Sequence, residues 1–150
     1  MLTAYTNLLE SFALHVGLDP QTLQNTQEVV IDQLPIGLLY EGEAEVGDLV
    51  YTVNLGAPMP SREAAVLRTL MQANHLWAGT GGCTAGLVAD TGEITLSGRI
   101  DVAGVSAESL ALLLDAFVDT AQFWERFVHD QLPSGAAAPA GASGAFVVRG

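Results

Sequence analysis

The sequence contains no lysine: five arginines (Arg62, Arg68, Arg99, Arg126 and Arg149) stand against 17 aspartates and glutamates, for a formal net charge of −12. Such a chain repels phosphate backbones and anionic lipid, so neither nucleic acid nor a membrane surface is an expected partner. The single cysteine, Cys83, has no internal partner for a disulfide and is compatible with a reducing compartment. No apolar run exceeds a few residues, and the first positions carry Glu10 and spaced polar residues instead of a basic segment followed by an apolar block. Neither a signal peptide nor a membrane span is predicted, and the cytoplasm is the simplest location.

Several chemistries lack their residues as well. Gly79-Thr80-Gly81-Gly82 is not followed by Gly-Lys-Ser or Gly-Lys-Thr, and no lysine exists to reach a phosphate. His15, His75 and His129 fall on three different elements with no metal-ligand spacing to one another or to Cys83, so no zinc site and no cofactor is expected. Nothing in the pattern pairs Cys83 with a histidine as a nucleophile. The acidic stretch Glu41, Glu43, Glu45 and Asp48 lacks the alternating Asp pattern of a calcium loop and reads as a solvated loop. The sharpest enzymatic signal is Asp90-Thr91-Gly92, because two such segments build the carboxylate dyad of a dimeric aspartic protease. Glu93 follows where retroviral-type proteases have a small residue, and the triplet separates two strand candidates, so it reads as a turn. The chain is not expected to be an enzyme; a protease using Asp90 stands as a minor alternative.

What is present is one sizeable core's worth of apolar residues: 49% of 150 residues, 15.7 kDa, suited to one domain. Leu2, Tyr5, Leu8, Leu9, Phe12, Ala13 and Val16 recur at helical spacing up to Gly17, a natural stop. Three strand patterns follow at Val29–Ile31, Gly37–Tyr40 and Leu49–Leu55, the last two joined by the acidic stretch 41–48. After Pro58-Met59-Pro60, Ser61 is placed to cap a second helix running to His75 or Trp77. Its polar wedge is narrow (Arg68, Gln72, His75), and a helix so widely apolar calls for burial on two sides. Two further strands, Cys83–Ala89 and Glu93–Ile100, flank the Asp90-Thr91-Gly92 turn.

Ser106 then opens the longest helix, with a core stripe of Leu110, Leu113, Leu114, Phe117, Ala121, Trp124 and Val128 and a second strip of Leu112, Phe123 and Phe127. Pro133 ends it. Residues 133–150 are rich in Ala, Gly and Pro and close on Phe146-Val147-Val148, a composition that predicts a flexible tail. The order α-β-β-β-α-β-β-α implies an α+β fold, with an antiparallel twisted sheet of about five strands and three helices.

This order, with Val16-Gly17-Leu18, Leu49–Leu55 followed by Gly56 and Pro60, and Leu70-Met71-Gln72-Ala73-Asn74, resembles the class I type III secretion chaperones, the Tir-chaperone (CesT-like) family. Gly81-Gly82, Gly86-Leu87, Asp90-Thr91-Gly92 with Ile94–Leu96, and Phe117-Val118-Asp119-Thr120-Ala121 before Trp124 continue the resemblance, which covers residues 1 to about 132. It implies a non-catalytic cytosolic homodimer that holds an extended N-proximal segment of a secreted effector, with the secretion ATPase a further candidate partner. It assigns the dimer interface to Val66, Leu67, Leu70, Met71 and Trp77. The effector groove would draw on Leu2, Tyr5, Leu9 and Phe12 of the first helix and Val29, Ile31, Leu38 and Tyr40 of the early strands, through strand addition and alternate side-chain pockets. The same fold could instead sequester a transcriptional regulator or another chaperone. The tail after Leu132 and the absence of lysine depart from the family pattern without touching the fold.

Overall fold

A computed structural model describes residues 3–43 and 46–139. Among the described residues, four helices, α1 (Thr3–Val16), α2 (Pro20–Thr26), α3 (Glu63–Asn74) and α4 (Ala107–Val128), accompany five strands: β1 (Glu28–Ile31), β2 (Leu34–Glu43), β3 (Val46–Gly56), β4 (Thr84–Leu87) and β5 (Ile94–Asp101). The strands form one antiparallel sheet in the order β1-β2-β3-β5-β4, so β1 and β4 are its edges. The expected α+β architecture and order of elements along the chain are present, with α2 as an additional short helix. The chain groups into two compact units, Met1–Thr52 with Arg99–Val118 and Val53–Gly98 with Asp119–Gly150.

In the first unit, α1 ends as its sequence requires. Gly17 adopts φ +79, a left-handed conformation that favours a residue without Cβ. The Leu18 N–H then returns to the Ala13 carbonyl at 2.8 Å, closing the helix in a Schellman turn. Asp19 starts α2 two residues later: its carboxylate accepts from the Thr22 N–H at 2.8 Å and the Thr22 hydroxyl at 2.6 Å, with Pro20 in the first turn. Those hydrogen bonds hold the Asp19 carboxyl below the usual aspartate range. The core of this unit includes Leu9, Phe12, Ile36, Leu38, Leu49, Leu110 and Leu114, each at most 2% exposed.

Of the stretch 41–48 expected to be an acidic loop, 41–43 and 46–48 are strand instead, and residues 44 and 45 lie outside the described residues. β2 and β3 continue their pairing through Glu41↔Asp48, Gly42↔Gly47 and Glu43↔Val46, leaving residues 44 and 45 between them. Glu41 and Asp48 thus face each other as like charges, which disfavours pairing. Arg99 offsets this by ion-pairing with Glu41 and, at 3.6 Å, with Asp48. The hairpin also requires Gly47, where an added Cβ would lie 2.6 Å from the Tyr40 hydroxyl.

In the second unit, Ser61 does not cap α3. It lies in a 3-10 turn, Pro60–Arg62, and no side chain caps α3. Proline at the start of that turn fits its missing N–H. Arg62 is turned instead toward the far end of α4, donating to the carbonyls of Phe127 at 3.2 Å and Val128 at 3.1 Å with its guanidinium over the Phe127 ring. Ser106 does cap its helix, its hydroxyl accepting from the Ser109 N–H at 3.1 Å. Trp124 is 2% exposed and its indole N–H donates to the Gly79 carbonyl at 2.9 Å, fixing the glycine stretch against α4. Asp90-Thr91-Gly92 forms the expected β4–β5 turn, with Gly92 at φ +73 and Asp90 and Thr91 exposed.

Candidate functional site

Among the described residues, no group of three or more His, Cys, Asp or Glu side chains could hold a metal ion. No helix among them is long and apolar enough to cross a membrane. Among the described residues, two apolar surface features stand out, one on each compact unit.

The first is a groove of about 240 Å³ between the end of α1, strand β1 and α4. Its floor includes buried Phe12, Val29 and Leu114, and its rim includes Val16, Leu18 and Val30, which are 41%, 40% and 63% exposed. The Schellman turn at Gly17 positions Leu18 on that rim. Beside the groove runs the outer edge of β1. Its register, Val29↔Ile36, Val30↔Pro35 and Ile31↔Leu34, places Pro35 opposite Val30. The Gln27 carbonyl accepts from the Leu38 N–H, so alternation directs the backbone groups of Glu28 and Val30 outward. Proline, which has no N–H to give, therefore stands at a position where the ladder needs none. An apolar furrow alongside outward-facing amide and carbonyl groups is what an extended peptide needs to add a strand. Asp115 supplies one negative charge to the lining.

The predicted groove residues divide. Phe12, Val29 and half-buried Ile31 line the groove; Tyr5, Leu9 and Leu38, each 6% exposed or less, and half-buried Tyr40 are not among its lining residues, and Leu2 lies outside the described residues. Tyr5 shows why. Its hydroxyl donates to the Leu38 carbonyl at 2.6 Å and accepts from Gln27 Nε2 at 2.9 Å, and its ring sits 5.4 Å from that of Tyr40. Burial raises the phenol's pKa, and the Gln27 hydrogen bond partly offsets the rise. The exposed rim residues Val16, Leu18 and Val30 were missed by sequence reasoning. Val30 left a signal, since it is the out-of-phase apolar residue in Val29-Val30-Ile31.

The second feature is an open depression of about 800 Å³ on the outer face of α3, lined by Ala64, Ala65, Leu67, Arg68, Met71, Gln72 and His75. Of the residues assigned to an interface, Val66 and Leu70 are buried, Leu67 and Trp77 are half-buried, and Met71 is 72% exposed. Leu76, next to this face, is 61% exposed at φ +52, and Trp77 follows at φ +56. Two consecutive left-handed non-glycine residues are strained, and strain of this kind clusters at functional positions.

Comparison with known proteins matches the fold. The chain is similar to three solved structures: the Yersinia pestis type III secretion chaperone SycH in complex with a stable fragment of YscM2 (24% identity, TM-score 0.61, 80% of this chain and 98% of that one); the ExsC–ExsE complex (22%, 0.68, 91% and 98%); and the HopA1–SchA chaperone–effector complex (17%, 0.63, 82% and 94%). At these identities the likeness concerns the fold. A search of the curated proteins returns no match. The model of the Tir chaperone protein (CesT) family matches residues 7–125, and the chain belongs to that family of secretion chaperones.

Proposed function

We propose that the protein is a cytosolic homodimeric chaperone whose β1 edge and adjoining groove hold an extended N-proximal segment of a type III secreted effector, keeping it soluble and competent for export. The observation that carries this reading is the groove itself, a furrow with exposed Val16, Leu18 and Val30 along an outward-facing strand edge. Backbone pairing demands little of the partner's sequence, while the furrow selects apolar side chains at alternate positions. Asp115 and the net charge of −12 favour a segment with basic flanks. The structural neighbours captured with a chaperone's cargo or partner support the reading by analogy of fold. Dimerisation is supported by the α3 face, whose exposed Met71 and half-buried Leu67 leave an apolar surface to cover.

The test is to isolate the protein from its native host with secretion blocked. The expected species is a dimer of two 15.7 kDa chains carrying one effector, with tens of effector residues protected from protease. Val30→Lys is expected to abolish that protection without loss of folding. A monomer that protects no segment, or protection unaffected by Val30→Lys, defeats the proposal.

A further inference from the structure

Strand β4, the other edge of the sheet, has the sequence Thr84-Ala85-Gly86-Leu87. It has none of the charged or proline residues that commonly blunt an edge, and Leu87 and the following Val88 are 51% and 36% exposed. By contrast β1 begins at Glu28 and is followed by Asp32. A bare, neutral, partly apolar edge is a template for pairing with an identical edge on another copy, and shortness alone is a weak defence.

One side chain supplies a defence. β4 pairs with β5 in the register Ala85↔Leu96 and Leu87↔Ile94. Alternation in an antiparallel ladder directs the backbone groups of every second residue away from the partner strand. Ala85 is such a residue, and Asn74, the last residue of α3, takes both its groups. Nδ2 donates to the Ala85 carbonyl at 3.0 Å, and Oδ1 accepts from the Ala85 N–H at 2.9 Å. A carboxamide presents the same donor and acceptor as a peptide group, so Asn74 fills the place of one residue of an added strand. At β1 the nearest counterpart is weaker: the Thr26 hydroxyl lies 3.3 and 3.4 Å from the Glu28 carbonyl and amide, at the long limit of hydrogen bonding.

We propose that Asn74 closes the β4 edge against backbone pairing with a second copy of this chain, leaving β1 as the edge that accepts a strand. The closure is independent of what β1 binds.

In the wild-type chain, the Ala85 amide should exchange roughly tenfold more slowly than that of Leu87, which shares its orientation without a side-chain cap. Exchange of the two at equal rates overturns the proposal. Asn74→Ala should add a concentration-dependent species of at least twice the wild-type mass by light scattering. Adding Leu87→Lys, which places a charge on the bared edge, should return the mass to wild type without restoring the melting temperature. An Asn74→Ala protein of unchanged mass, or an assembly that survives Leu87→Lys, removes the edge-closing role and leaves Asn74 as a tether of α3.

Discussion

Helices α1 and α3 look alike as patterns of apolar residues, yet their surroundings treat them differently. α1 buries Tyr5, Leu8, Leu9, Phe12 and Ala13, while α3 buries Val66, Leu70 and Ala73 and leaves Met71 72% exposed. The arc of α1 from Tyr5 to Ala13 is consumed within its own unit, where the Tyr5 hydroxyl fastens it to the Leu38 carbonyl, and only its end at Val16 stays on the groove rim. The arc of α3 is left partly open over a depression of about 800 Å³. Width of an apolar arc therefore measures the demand for burial and says nothing of whether the same chain supplies it. Bulky aromatic side chains with a polar tip, as on α1, mark the arc that is met internally, because the tip must find a fixed partner inside.

The sharpest way to break this comparison is to truncate each helix at one position. Phe12 is 1% exposed, so Phe12→Ala should cost about 3–5 kcal/mol in urea denaturation, a large part of a small domain's stability. Met71→Ser removes an exposed side chain and should change stability by no more than about 0.5 kcal/mol, while shifting the light-scattering mass from that of the proposed dimer toward monomer. If Phe12→Ala instead leaves stability intact and only weakens binding of a partner, the first helix is an interface and the contrast fails.

A finer probe is the anchor itself. Tyr5→Phe keeps the ring and deletes the hydroxyl, leaving the Leu38 carbonyl without its donor, and should cost about 1–3 kcal/mol. Burial raises the folded-state pKa of Tyr5, so its contribution is fully present below the ordinary tyrosine value and lost as pH rises through the folded value. Stability measured across the alkaline range should fall less steeply in Tyr5→Phe than in wild type. An unchanged alkaline limb means that the phenol is not the group being titrated.

Periodicity made the major elements legible because each long helix and strand repeats its apolar residues over several turns or pleats. The stripe from Leu110 to Val128 is an example: all its members are buried except half-buried Leu113. Helix α2 was not legible, since seven residues with a single buried side chain, Leu23, leave no period to read. Where a loop was expected at 41–48, the described residues 41–43 and 46–48 are strand because a distant cation, Arg99, offsets the facing Glu41 and Asp48. Ser61 had the right residue type for a cap but lost the role to a 3-10 turn. Of the groove residues named from the sequence, Phe12, Val29 and Ile31 line the groove. Rim residues such as Leu18 escaped because their exposure depends on how a turn at Gly17 redirects the chain, which the pattern of residues does not state.

The smallest expected effect concerns the cap that follows that turn. The Asp19 carboxylate accepts two hydrogen bonds from Thr22, which lower its pKa in the folded state. Its contribution is therefore present above the ordinary aspartate value and lost as pH falls below it through the folded value. Asp19→Asn preserves a good N-cap but cannot titrate, so it should match wild type near neutral pH and lose less stability on acidification. Because α2 buries only Leu23, the difference should be concentrated in amide exchange at Leu23 and Gln27, whose N–H groups bond within this short helix and its cap. The same measurement separates the two edges of the groove: if acidification frees α2 while β1 amides remain protected, the rim formed by Leu18 is held by the cap. If both loosen together in wild type and in Asp19→Asn, the cap is incidental, and β1 alone sets the shape of the binding edge.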